Sequence, residues 1–136
     1  RLTAEQRLLQ DFAGARILLV EDEPLSQEVA SSLLEEVGLA VDLAEDGQQG
    51  LAMARRNPYD LILMDMQMPV MNGVDATQAI RKESRNRETP VLAMTANAFE
   101  EDRQACLDAG MDEHIAKPVD PHRLYEALLR WIDKPR

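Results

Sequence analysis

Three carboxylates, a threonine and a lysine stand where apolar runs of the chain end. ILLV (17–20) hands over to Glu21 and Asp22, LILM (61–64) to Asp65, VLAM (91–94) to Thr95, and HIA (114–116) to Lys117. If these runs are strands of one parallel sheet they all point the same way, and their polar successors gather at its carboxyl edge, where open α/β sheets bind ligands. Glu21, Asp22 and Asp65 in one pocket repel one another, because two unit charges ~4 Å apart cost on the order of 4 kcal/mol at an effective dielectric near 20. A hard divalent cation removes that cost. An all-oxygen donor set without His or Cys selects Mg²⁺, with Mn²⁺ as its substitute, over zinc. Mg²⁺ takes one or two carboxylates and completes its shell with waters and phosphate oxygens, so the site calls for a phosphoryl group. Lys117 offers that group a compact ammonium and Thr95 a hydroxyl. Asp65 is then the natural nucleophile, a carboxylate able to accept a phosphoryl group as an acyl phosphate.

The elements that must position these residues are legible as an alternation. Short apolar runs at Ile17–Val20, Ala40–Ala44, Leu61–Met64, Val91–Met94 and His114–Ala116 read as five strands, continuously apolar where longest, as strands covered on both faces are. Between them lie segments of helical period. Leu25, Val29, Leu33 and Val37 recur at a spacing of four after Pro24, and Gly38 stops that helix. Gly47–Arg56 follows Asp46 as N-cap and ends at Asn57-Pro58; Val74–Glu83 follows the Asn72-Gly73 turn; Phe99–Ala109 ends at Gly110; Pro121–Ile132 carries Leu124, Leu128, Trp131 and Ile132 on one face. Strict alternation of five strands and five helices predicts an α/β doubly wound sheet. Ahead of it, Thr3 and Gln6 form a capping box, and residues 1–14 read as a linker or short helix, or as a docking or dimerisation element. The main domain is placed at 15–136.

The composition fits one domain of 136 residues with a core built from aliphatic side chains, since 45% of the residues are hydrophobic and only 4% aromatic. A net charge of -10 argues against nucleic acid and anionic membranes as partners. Cys106 is the single cysteine, so no internal disulfide forms; it reads as a small buried hydrophobe. No apolar run reaches the length of a membrane span and no signal peptide opens the chain, so a cytoplasmic location is expected. Arg1 stands where an initiator Met would, which fits a processed or excised piece of a longer protein.

With LLVEDE, LILMDMQMPVMNG, VLAMTANA and HIAKP in this order and spacing, the chain resembles the receiver domain of two-component response regulators over about residues 15–133. The resemblance implies a flavodoxin-like (βα)₅ fold with strand order 2-1-3-4-5. It implies a phosphorelay role in which a phosphohistidine, on a histidine kinase or a histidine phosphotransfer domain, donates its phosphoryl group to Asp65 with Mg²⁺ present. By the same resemblance Asp22 and Asp65 ligate the ion directly, Glu21 acts through water and Gln67 offers its backbone carbonyl. Thr95 moves to the phosphoryl group, Lys117 pairs with it, and the Lys117-Pro118 bond is a candidate cis peptide. The output is a switch of the face formed by the fourth and fifth core helices and the fifth strand. Such a module catalyses only its own phosphorylation and dephosphorylation. In strand order 2-1-3-4-5 the second strand is outermost, so Glu45 reads as solvated.

MDMQMPVMNG, MTANAFEEDRQACLDAGMDEHIAKPV and the ending near Trp131 look most like receivers of hybrid sensor histidine kinases; a stand-alone regulator is the alternative, and a weak homodimer is among the expected associations. Two positions depart from the family pattern. His114 stands where a Tyr or Phe usually swings inward, so it is either an altered switch residue or an exposed strand residue. Glu23 replaces a frequent Asn. His122 reads as a surface residue. An aspartate-nucleophile phosphatase of the haloacid dehalogenase kind needs a second acid at the position of Gln67. A flavodoxin-like cofactor site is opposed by the glycine-free, acidic EDEPLS loop. A receiver-like module that works without phosphorylation is opposed by the intact set of acids, Thr95 and Lys117.

Overall fold

The computed structural model describes residues 2–96 and 100–133. In chain order the elements are α1 (Ala4–Asp11), β1 (Arg16–Val20), α2 (Pro24–Glu36), β2 (Ala40–Ala44), α3 (Gly47–Arg56), β3 (Leu61–Asp65), α4 (Gly73–Glu83), β4 (Val91–Thr95), α5 (Glu100–Ala109), β5 (Glu113–Ala116) and α6 (Pro121–Ile132). All strand pairs are parallel and the order is β2-β1-β3-β4-β5. Phe99, the expected first residue of α5, lies outside the described residues.

The continuous apolar runs make sense because successive side chains alternate between two covered faces. Ile17, Leu19, Leu61, Leu63, Leu92 and Met94 turn to the side of α2 and α6, where they meet Ala30, Leu34, Leu124 and Leu128. Leu18, Val20, Ile62, Met64, Val91 and Ala93 turn to the other side, where Leu51, Ala54, Ala76, Ile80 and Cys106 cover them. Asp46 opens α3, Asn72 α4 and Asp120 α6, each with a side chain that accepts a backbone N–H of the first turn. β3 and β4 run one residue beyond their apolar runs, so Asp65 and Thr95 are themselves the last residues of buried strands.

The spacing of four in α2 marks its core face only toward the helix end: Val37 is fully buried and Leu33 packs against the core, whereas Leu25 and Val29 are 66% and 45% exposed and Ala30 and Leu34 face the sheet beside them. Leu25 and Val29 lie on the half of α2 beside the acidic edge, where no element of the described residues covers them. Residues Ala4–Asp11 form the short helix that the Thr3–Gln6 capping box indicates, and it lies along α6 with Leu8 fully buried in the same apolar cluster as Leu124 and Leu128.

Candidate functional site

Parallel strands with β1 and β3 side by side bring Glu21 and Asp22, just past β1, next to Asp65 at the end of β3. One carboxylate oxygen from each of these three residues lies within 4.8 Å of the other two. Glu21 and Asp65 are buried, at 1% and 6% exposure, and Thr95 is buried at 7% on the neighbouring strand. Lys117 follows β5, and its backbone N–H donates to the Thr95 carbonyl at 2.9 Å. Its Nζ is 2.7 Å from Glu21 Oε1 and 3.3 Å from Asp65 Oδ1. The Lys117-Pro118 peptide bond is cis.

The electrostatics follow from burial and from these contacts. Desolvation and the neighbouring Glu21 carboxylate push Asp65 up to about 7, against the pull of Lys117. Burial opposes the charged form of Glu21 too, yet the Lys117 ammonium, a hydrogen bond shared with Asp65 and the Glu23 N–H hold it below the usual carboxylate range. Lys117 is held above its ordinary value: burial works against its charge, and the two carboxylates outweigh burial. The lysine neutralises one acid and is shared by a second, which leaves an excess of negative charge that a divalent cation fits. Asp22 belongs to the trio, and no nitrogen or sulfur ligand accompanies it among the described residues.

The loop that leaves Asp65 is held tightly. The Gln67 N–H donates to Asp65 Oδ1 at 3.3 Å, while the Gln67 side chain is exposed. Val70 takes a left-handed φ of 70° in a turn closed by Met71 N–H donating to the Pro69 carbonyl at 2.7 Å, an arrangement rare for a β-branched residue. Gly73 then passes so close that a Cβ there would lie 2.4 Å from the Asp65 carbonyl oxygen. Glu23 turns away from the pocket: its carboxylate accepts from the Leu25 and Ser26 N–H groups at 3.1 and 2.7 Å and caps α2. Among the described residues sequence reasoning missed the exposed pair Leu25 and Val29, which with Glu21, Lys117, Pro118 and Val119 line an apolar groove of about 190 Å³ beside the acids. Nothing in the sequence marks them out, because Ala30 and Leu34 form a second apolar pair one step further round the helix, and that pair is the buried one. His114 lies on the edge strand opposite Ala93, half-buried, and lines grooves on both sides of β5. His122 is exposed on α6, facing Glu126 at 3.4 Å.

Known proteins are similar to this chain in fold and in sequence. The signal transduction histidine-protein kinase BarA of Shigella flexneri is 39% identical over 115 residues, which is 85% of this chain and 12% of that protein. The chain therefore spans about an eighth of the length of the curated relatives it matches. The receiver domain of the sensor histidine kinase PA1611 from Pseudomonas aeruginosa, solved with a magnesium ion in its active-site cleft, superposes with a TM-score of 0.84 at 45% identity, covering 90% of this chain and 100% of that one. A co-crystal structure of the Saccharomyces cerevisiae histidine phosphotransfer protein Ypd1 with the receiver domain of its downstream response regulator Ssk1 matches at a TM-score of 0.82 and 26% identity, over 90% of this chain and 91% of that one. Residues 17–129 match the response regulator receiver domain as a family, and the chain belongs to it.

Proposed function

We propose that this receiver accepts a phosphoryl group on Asp65 from a phosphohistidine, and that it does so as one module of a hybrid sensor histidine kinase. The observation that carries the reading is the buried Asp65 carboxylate flanked by Glu21, Asp22 and Lys117 at the shared edge of β1, β3 and β5. Asp22 and Asp65 would hold Mg²⁺, or Mn²⁺ in its place, with Glu21 acting through water and the Gln67 carbonyl completing the protein's share. Such a cation would offset the carboxylate charge and that of the incoming phosphoryl oxygens.

An Asp65 oxygen forms the bond to phosphorus while the phosphorus–nitrogen bond of the donor breaks, and the leaving imidazole takes its proton from solvent. Lys117 shifts from its carboxylate partners to a phosphoryl oxygen, and Thr95 donates its hydroxyl to another. Those two contacts exist only in the phosphorylated state, so they bias a two-state equilibrium toward the output face of α5, β5 and α6. His114 takes the position of the moving ring on that face.

The donor's protein partner is a histidine phosphotransfer or kinase domain. The exposed Leu25 and Val29, beside the groove that reaches Lys117, give it an apolar platform next to Asp65. None of the helices of the described residues is long and apolar enough to cross a membrane. The proposed place in a phosphorelay, fed by a histidine kinase, puts the module on the cytoplasmic side. Incubation with Mg²⁺ and acetyl phosphate, followed by peptide mass mapping, tests the site. An adduct on Asp65 that Asp65→Asn abolishes is expected; no adduct, or one that persists in the variant, sinks the proposal.

A further inference from the structure

The helix α1 is capped at its start, where Thr3 and Gln6 satisfy its first turn reciprocally, and tied to the domain at its exit. Its exit is pinned where Gly14, at a φ of 87°, donates its N–H to the Gly38 carbonyl at 2.8 Å, at the foot of α2. Four residues separate α1 from β1, so the helix has little slack. Between these ends Leu8 is fully buried, and Phe12 packs against the same cluster.

That cluster is the one beneath the phosphoacceptor edge. It contains Leu8 of α1, Leu34 of α2, Leu124, Tyr125 and Leu128 of α6, and also Ile115 and Met94, with Val119 packed against it from the segment between Lys117 and α6. Tyr125 ties the layer together: its hydroxyl donates to the Leu33 carbonyl at 2.8 Å, across to α2. At its other end α6 is bound to β5, with Trp131 Nε1 and the Arg130 guanidinium donating to the Glu113 carboxylate at 2.6 Å each. The helix α6 is thus a bar fixed near Lys117 at one end and at Glu113 at the other, and α1 rests along it.

We infer that α1 is a coupling strap: its seating on α6 through Leu8 and the phosphorylation of Asp65 bias one another. This rests on the receiver reading above. A closely packed layer does not deform continuously, so a shift of Lys117 and Val119 toward a phosphoryl group must be taken up by α6 and by what lies on it. Binding linkage makes the effect reciprocal: a pull or a partner that unseats α1 alters the stability of the phosphorylated state by the same factor.

Two measurements on the full chain test this. Hydrogen–deuterium exchange with Mg²⁺, before and after acetyl phosphate, is expected to change the exchange of residues 4–12 by roughly two- to tenfold. Leu8→Ala is expected to change the half-life of the Asp65 adduct by a similar factor. Leu9→Ala, at an exposed position of the same helix, should leave it unaltered. Leu51→Ala, a core truncation on the opposite face of the sheet, controls for lost stability and should also leave it unaltered. Unchanged exchange in α1 despite a confirmed adduct overturns the strap, as does a Leu8→Ala half-life equal to that of wild type or of Leu51→Ala. If Leu8→Ala does not fold, the exchange arm alone decides. Absence of any adduct on Asp65 instead sinks the receiver reading.

Discussion

Lys117 has two tasks before any phosphoryl group arrives, because it compensates Glu21 and is shared with Asp65. Lys117→Met keeps the volume and removes the charge, leaving the 1%-exposed Glu21 in the company of the buried Asp65 and the half-buried Asp22. The expected cost is about 2–3 kcal/mol at pH 7.5, below the full figure for a broken buried pair because Lys117 is partly solvated. Glu21 is the group whose value is held down, so its share of stability is present above the usual carboxylate range and is lost as pH falls through its folded value. Urea denaturation at pH 7.5 and pH 4 checks this, with the difference between variant and wild type shrinking at pH 4. Val70 presents the opposite case. It is 77% exposed, so its side chain contributes little burial, while its left-handed backbone stores strain. Relief of strain outweighs the added freedom of glycine, and Val70→Gly is expected to raise stability by about 1 kcal/mol. A thermal midpoint equal to or below that of wild type would show that the turn holds no strain.

Elements meet most closely where β3 turns into α4. Gly73→Ala places a methyl 2.4 Å from the Asp65 carbonyl oxygen and 3.0 Å from Met66 Cα, both backbone atoms that yield only if the strand end moves. The expected result is a loss of about 2 kcal/mol together with weaker Mg²⁺ binding, since Asp65 moves with its strand. Titration of Mg²⁺ by calorimetry beside a thermal melt separates the two, and a melt that shifts with unchanged affinity would place the strain elsewhere. None of this closeness is legible in the sequence, where Asn72-Gly73 reads as a turn and a helix cap and nothing more. What was legible is whatever burial writes locally. The apolar runs of β3 and β4 disclosed strands covered on both faces, and the polar ends disclosed which side chains meet at the sheet edge, because parallel strands place those ends together. The regular spacing in α2 misled for the same physical reason that the site exists. Leu25 and Val29 form the apolar platform proposed for the phosphodonor, and a helix with two apolar stripes carries no mark of which one faces home. The seat of α1 was hidden because one buried leucine in an eight-residue helix looks like any linker.

Charge is organised across the whole molecule, which carries a net -10 and concentrates three carboxylates at one edge of its sheet. Stability and metal binding are linked there through Asp65. Its folded value is raised to about 7, whereas in the unfolded chain an aspartate titrates near pH 4. The folded state therefore binds more protons than the unfolded one between about pH 4 and pH 7, and stability falls as pH rises through that window. Glu21 and Glu113, both held below the usual carboxylate range, act in the other direction, and their contribution disappears as pH falls below that range. The metal-free protein is thus expected to be most stable near pH 5, not at neutrality. In the proposed site Mg²⁺ would bind the ionised trio, so it is expected to compete with the proton on Asp65 and to stabilise more at pH 7.5 than at pH 5. Thermal midpoints at the two pH values, with chelator or with millimolar Mg²⁺, should cross: higher at pH 5 without the ion, with the gap closed or reversed in its presence. Asp65→Asn carries no titrating group at this position and should flatten the metal-free profile between pH 5 and 7.5, raising the midpoint at pH 7.5 by several degrees, at about 4 °C per kcal/mol for a domain of this size. If wild type and Asp65→Asn show the same pH slope without metal, the proton at this edge belongs to another group, and the acidic trio does not set the stability of the resting receiver.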